Sequence, residues 1–151
     1  MITTKEQKII KALRKNGRAR MSTIAKEEKL PTSTATDILN RLEKKNLIEH
    51  KTHIKFDKIG YPIKIFALLK TNPQDRTYLK KELEKFPNIN TLYELNSNYD
   101  FHMEALFANQ EHYRDFFEEL ESKNLIMEKE IHPIIRNIYE EKFLTEENHF
   151  L

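Results

Sequence analysis

The chain has 151 residues, 38% hydrophobic and 33% charged, with no cysteine and a net charge of +2. That length predicts one domain or two small ones, and the missing cysteine excludes disulfide frameworks, thiolate metal sites and cysteine nucleophiles, in keeping with a reducing cytoplasm. No apolar run approaches the roughly 18 residues of a membrane helix, and no basic-then-apolar leader opens the chain.

Charge is divided unevenly along the sequence. Residues 1–55 hold 14 Lys+Arg and 6 Asp+Glu, a balance of +8, whereas residues 56–151 hold 12 and 18, a balance of −6. Basic faces collect phosphates because each neutralised phosphate releases counterions. The first third is therefore suited to nucleic acid and the acidic remainder to other work.

Thr3 or Thr4 is placed to cap a first helix with Ile9, Ile10 and Leu13 on one face, ending at Asn16-Gly17 with the glycine as left-handed stop. A short second helix, capped by Ser22, carries Ile24 and Ala25 inward and runs to about Glu28. Pro31 with Thr32, Ser33 and Thr34 marks a third start. From there Ala35, Ile38, Leu39 and Leu42 form one apolar stripe, and Thr34, Thr36, Asp37, Asn40, Arg41 and Lys44 point elsewhere. Such a helix, buried on one side and bearing short hydrogen-bonding groups on the other, suits a nucleic-acid groove. The alternation from Glu49 to Phe56 predicts a strand or small hairpin, and three helices followed by it make a winged helix-turn-helix over 1–55.

Gly60 and Pro62 mark 56–62 as a linker. Beyond it, Ile63–Lys70 reads as an apolar strand. Thr71 or Asn72 before Pro73 then opens a helix with Tyr78, Leu79, Leu83 and Phe86 on one face. Ile89–Leu95 and Phe101–Phe107 read as strands joined at Asn96-Ser97-Asn98. Asn109 caps a helix bearing Tyr113, Phe116, Phe117 and Leu120, and Leu125–Tyr139 reads as a long last strand with Pro133 at an edge. The order βαββαβ over 63–139 is a ferredoxin-like split sheet, followed by an acidic tail, 140–151, expected to fray or to pack on a partner. Glu94, His102, Glu104 and Lys64 alternate with helix-facing positions, so the polar sheet face is a candidate dimer surface.

Several stretches together resemble the Lrp/AsnC family of bacterial and archaeal transcriptional regulators. They are Gln7–Leu13 with Asn16-Gly17-Arg18, Ile24-Ala25-Lys26, Leu42-Glu43-Lys44-Lys45-Asn46-Leu47-Ile48, Gly60-Tyr61-Pro62 and Tyr99-Asp100. The resemblance covers nearly the whole chain and implies an α+β protein, an N-terminal winged helix-turn-helix followed by a ferredoxin-like (ACT/RAM-type) domain. It also implies double-stranded DNA as partner, dimers and often octamers, and an amino-acid or similar small-molecule effector. Three departures stand out: Lys29 where the family usually has glycine between helices two and three, Asp37, Ile38 and Asn40 where it commonly has basic residues, and Ser97 for the glycine before Tyr99-Asp100. By the same resemblance, Ser97, Asn98, Tyr99 and Asp100 are the candidate effector residues, and the change at Ser97 leaves two alternatives: Ser97 and Asn98 line a different pocket, or the loop holds no small molecule.

By residue type, Ser33, Thr34, Thr36 and Asn40 are candidates for base edges, and Arg18, Arg20, Arg41, Lys44 and Lys51 for phosphates, with Ser22, Thr32 and His50 beside them. Arg41 on this reading adds to the salt dependence of binding. Enzyme readings are weaker. His50 and His53, or His102 and His132, complete no metal site, no cofactor is implied, and a Tyr99, Asp100, His102 grouping is more simply a turn entering a strand. The alternatives are a second domain acting as an enzyme, similar to the haem-pathway decarboxylases of Lrp-like architecture, or as a protein-interaction adaptor.

Overall fold

The computed structural model describes residues 2–145. Its described residues divide into two compact units, one formed by 2–53 with 138–145 and the other by 54–137.

The first unit is trihelical: α1 (Thr4–Lys15), α2 (Met21–Glu27) and α3 (Thr32–Lys44). Its core is Ile9, Ile24, Ala25, Ala35, Ile38 and Leu42, with Ile10, Leu13, Leu30 and Ile48 packed around it. The stripe read from the sequence is therefore the buried one, except that Leu39 is only half-buried. Thr3 caps α1 in a reciprocal capping box with Glu6, so both ends of that interaction satisfy orphan amides of the first turn. The other two helix starts differ from expectation. Arg20 occupies the cap position of α2, which leaves Ser22 inside the first turn, and Pro31 precedes α3 without any side-chain cap.

Helix ends correct the glycine reading. Asn16 closes α1 in an extended conformation, and Gly17 is not left-handed. The left-handed positions fall instead on Lys29 (φ 55°) after α2 and Asn46 (φ 51°) after α3. At Lys29, Leu30 N donates to Ala25 O at 2.8 Å and Lys29 N to Lys26 O at 3.3 Å, the paired bonds that satisfy the last carbonyls of a helix. The turn thus keeps its geometry without glycine, at a backbone cost of about 1 kcal/mol for an L-residue. Lys29→Gly is expected to stabilise this unit by about 0.5–1 kcal/mol, the gain being trimmed by the greater freedom of glycine in the unfolded chain. A thermal midpoint raised by a few degrees checks it, and a lowered one would show that the lysine side chain compensates.

Among the described residues, 48–55 carry no strand or bridge, so the strand or hairpin expected at Glu49–Phe56 is not formed. The described part of the tail belongs to this unit. Arg14 grips it, Nη1 reaching Glu141 Oε2 at 2.5 Å and Nη2 donating to Glu141 O at 2.6 Å, while Nε donates to Phe143 O at 3.1 Å. The rest of the tail, 146–151, lies outside the described residues.

In the second unit a 3-10 turn (Phe56–Ile59) ends at Gly60, whose φ of 99° only glycine adopts readily. There follow β1 (Ile63–Lys70), a 3-10 turn (Pro73–Asp75), α4 (Arg76–Leu83), β2 (Ile89–Glu94), β3 (Phe101–Phe107), α5 (Gln110–Ser122) and β4 (Glu128–Pro133). The sheet is antiparallel in the order β2-β3-β1-β4, which places β4 and its Pro133 at an edge. One sheet face, Ile65, Ala67, Leu69, Phe101, Met103, Ala105 and Phe107, packs with Leu79, Leu83, Phe116, Phe117 and Leu120 of the helices. Asn109 caps α5 as read, Oδ1 accepting from His112 N at 2.9 Å.

Three expectations change here. Tyr78 is exposed, and Glu82 takes the inward position beside Leu79 and Leu83. The last strand stops at Pro133, leaving Ile135, Ile138 and Tyr139 exposed. A bulge between Ile89 and Thr91 shifts the parity of β2, so Glu94 lies opposite Phe101 on the helix side instead of the polar face.

Candidate nucleic-acid interface and effector loop

The buried stripe of α3 fixes what the rest of that helix can offer. With Ala35, Ile38 and Leu42 inward, Thr32, Ser33, Asn40, Arg41 and Lys44 are exposed and Thr34 and Thr36 half-buried. The Thr36 hydroxyl donates back to Thr32 O at 2.9 Å, which leaves its oxygen as an acceptor only. Arg18, Arg20 and Ser22 stand exposed at the start of α2, as do His50 and Lys51 beyond α3. His50 Nε2 lies 3.2 Å from Glu43 and Lys51 Nζ 3.2 Å from Glu49, exposed pairs that cost little to exchange for a phosphate.

Arg41 differs from the other basic residues. Its Nε donates to Glu6 Oε1 at 3.1 Å, tying the last turn of α3 to the first turn of α1. Glu6 is buried, and sequence reasoning passed over it. Its carboxyl is held below the ordinary glutamate range, first by the Thr3 amide and hydroxyl, then by the Arg41 guanidinium against the opposing effect of burial.

In the second unit the loop before β3 is drawn inward by Asp100. Its Oδ2 accepts from Thr71 N at 2.9 Å, its Oδ1 lies 3.5 Å from Arg76 Nη1, and its backbone N donates to Leu69 O at 2.9 Å. Arg76 also donates through Nη2 to Leu95 O at 2.5 Å, and its Nε lies 3.0 Å from Glu94 Oε1 without the alignment of a hydrogen bond. The Asp100 carboxylate is therefore committed within the fold, while Ser97 and Asn98 are exposed. Tyr99 donates its hydroxyl to Glu130 Oε1 at 2.5 Å, which pushes the phenol up to about 12.

The open sheet face carries a cross-strand row of rings. Tyr93 and His102 centroids are 5.4 Å apart, His102 and Phe66 4.3 Å, and Phe66 and His132 5.4 Å. Lys64 and Glu104 pair beside it at 2.7 Å. Burial lowers the His102 pKa, with Glu104 opposing, so this ring is neutral around pH 7 and belongs to an apolar strip. Among the described residues no three His, Cys, Asp or Glu gather as a metal site, and no helix is long and apolar enough to cross a membrane.

Glu82 is a second buried carboxylate, taken by Lys85 at 2.5 Å and Lys123 at 3.1 Å and held below its ordinary range chiefly by the Lys85 bond. A folded-state pKa below the unfolded one contributes stability above the unfolded value and loses it as pH falls through the folded value. Thermal midpoints are therefore expected to hold from neutral pH down to about 5 and to drop below about 4.3. Glu82→Gln should lower the neutral-pH midpoint and flatten part of that drop in a calorimetric pH series. A profile unchanged by the substitution would remove Glu82 as a cause.

A trihelical helix-turn-helix unit joined to a βαββαβ unit defines a two-domain DNA-binding regulator. A family model described as winged helix-turn-helix DNA-binding matches residues 2–49, and the Lrp/AsnC ligand binding domain matches residues 64–143. The chain belongs to the Lrp/AsnC family. The transcriptional regulator FL11 of Pyrococcus furiosus is 28% identical over 114 residues, 75% of this chain and 76% of that one. E. coli AsnC matches with a TM-score of 0.83 at 15% identity, over 93% of this chain and 96% of its own. A Neisseria meningitidis transcriptional regulator solved with L-Met matches at 0.85 and 16%, over 93% and 94%. At such identities the two solved structures show a shared fold.

Proposed function

We propose that this regulator works in the cytoplasm as a homodimer, each protomer laying α3 in the major groove of one half-site of a pseudo-palindromic duplex. The observation that carries this is the one-sided burial of α3, which leaves Ser33 and Asn40, flanked by Thr32, Thr34 and Thr36, as the face free to meet base edges. Arg18, Arg20, Lys44 and Lys51, with Ser22 and His50, supply phosphate contacts on either side. Most of the positive charge lies outside α3, so affinity comes mainly from the flanks and preference from the helix.

The open sheet face is the proposed seat of the second copy: its ring row is apolar, and its Lys64–Glu104 pair offers opposite charges to a two-fold mate. A small molecule, on this reading an amino acid, binds at Ser97, Asn98 and Tyr99, with Asp100 holding the loop in place. The L-Met complex of the Neisseria regulator supports that ligand class. Purified protein mixed with fragmented genomic DNA, recovered and sequenced, tests the central claim. Enrichment upstream of a few genes is expected, and uniform recovery of all fragments would overturn it. Sedimentation at micromolar concentration tests the dimer, which a stable monomer would remove.

A further inference from the structure

Arg41 is the one basic residue of α3 whose Nε is taken up inside the unit. The partner, Glu6, is only 6% exposed and accepts three hydrogen bonds, from Thr3 N at 2.7 Å, Thr3 Oγ1 at 2.9 Å and Arg41 Nε at 3.1 Å. Because the capping box already fixes the carboxylate, it presents Oε1 to α3 from a set position. The grip is at Nε, the root of the rigid guanidinium fork, so the donor is held in a fixed direction relative to the rest of the group. A lysine ammonium has the charge but no such donor.

The apolar contacts of α3 are non-directional and come from a small core of Ile9, Ile24, Ala25, Ala35, Ile38 and Leu42. Such contacts choose which face of the helix is buried but, having no direction of their own, tolerate small turns about its axis, and recognition demands placement within roughly 0.5 Å and 10–20°. A charge-assisted bond of fixed direction supplies that selection. Arg41 adjoins Asn40 and lies three residues before Lys44, so turning α3 about this tether moves the face meant for base edges.

We propose that Glu6 and Arg41 are positioning residues for DNA recognition: the Glu6–Arg41 bond sets the rotation of α3, and with it the register of Ser33 and Asn40 on the base pairs. This assigns Arg41 to orientation instead of phosphate anchoring. It rests on sequence-specific binding by α3.

The two roles separate in the salt dependence. A phosphate anchor contributes about 0.9 to the slope of log affinity against log salt, and Arg41→Lys preserves most of it. A positioning residue leaves the slope alone and governs the ratio of affinities for the preferred fragment and for random duplex. The full-length protein and its Arg41→Lys, Arg41→Ala, Glu6→Gln and Glu6→Gln/Arg41→Ala variants are titrated against both duplexes at several salt concentrations. Each single variant is expected to narrow the ratio about tenfold, the scale of one misread base pair, with the random-duplex slope unchanged and the double variant no worse than the singles. A domain merely loosened loses both affinities in parallel and keeps the ratio, which overturns the proposal. Arg41→Lys retaining the wild-type ratio, or Arg41→Ala lowering the slope by about one, overturns it as well. If Glu6→Gln fails to fold, Arg41→Lys decides alone, since Arg41 is half exposed. A wild-type ratio of one removes sequence-specific binding itself, a result distinct from a wild-type preference that Arg41→Lys leaves intact.

Discussion

Leu42→Ala is expected to cost the N-terminal unit about 2–5 kcal/mol, the range for removing a fully buried leucine side chain and leaving part of its volume empty. Leu42 has no exposed surface and sits on α3 in a core that, among the described residues, has six buried apolar side chains. Three short helices bury too little apolar surface to absorb such a loss, since even whole domains are stable by only about 5–15 kcal/mol. Urea denaturation followed by circular dichroism should show the midpoint of this unit shifted strongly or its transition absent at the outset. Binding to preferred and random duplex should fall together, because a melted α3 presents neither a base-reading face nor ordered phosphate contacts. A loss below about 1 kcal/mol, the scale of a conservative swap, would mean that the core relaxes around the gap.

The contrast with Glu6→Gln is instructive. Leu42 holds α3 against the other helices and sets its buried face only coarsely, while the Glu6–Arg41 bond at 3.1 Å is directional. The first substitution should abolish binding of every sequence, and the second should blur which sequence is preferred.

Where elements are long and periodic, sequence pattern and structure coincide. β1 runs over Ile63–Lys70 as read, β3 over Phe101–Phe107, and Asn109 caps α5 through its side chain. These features are local: alternation, a cap and a stop need only a few neighbouring residues. The Glu49–Phe56 strand does not form because its alternation satisfies a strand's side-chain period without supplying a partner ladder, and one strand alone is not stable. Glu94 was misplaced because the bulge after Ile89 inserts a residue and reverses the parity of everything that follows in β2. The long last strand ends where its partner does: Pro133 is still paired with Ile65, Ile134 N makes a further bond to Lys64 O at 2.9 Å, and β1 begins at Ile63, so residues beyond have no ladder to join.

The buried carboxylates were illegible for a different reason. Glu6 and Glu82 occupy positions that a helical pattern assigns to neither core nor function. Their partners come from distant parts of the chain, Arg41 for one and Lys123 for the other. Only the fold brings those two charges in; the local partners, Thr3 three residues before Glu6 and Lys85 three after Glu82, follow spacings that the sequence does carry. Lys29 is intermediate. Its place after α2 was marked as the position of a usual glycine, but that a lysine accepts φ 55° there is visible only in the backbone.

Phe107→Ala is expected to cost the second unit about 3–5 kcal/mol. Phe107 ends β3, an inner strand flanked by β2 and β1, and has no exposed surface. Its ring meets Tyr113 edge-on with centroids 5.5 Å apart and Phe116 at 5.2 Å, so truncation removes two aromatic contacts with α5 besides the buried area. Phe107→Leu keeps most of the volume and loses the ring geometry, and should fall between the two. Hydrogen exchange distinguishes this loss from that of Leu42. The apolar side chains form two separate clusters, one around Ile9 and Leu42 and one around the sheet. Amides of β1 and β3 should therefore lose protection in Phe107→Ala while those of α1 and α3 keep theirs, and Leu42→Ala should give the reverse. Simultaneous loss in both units from either substitution would mean that they unfold together, and the 2–5 and 3–5 kcal/mol figures would then apply to one cooperative transition.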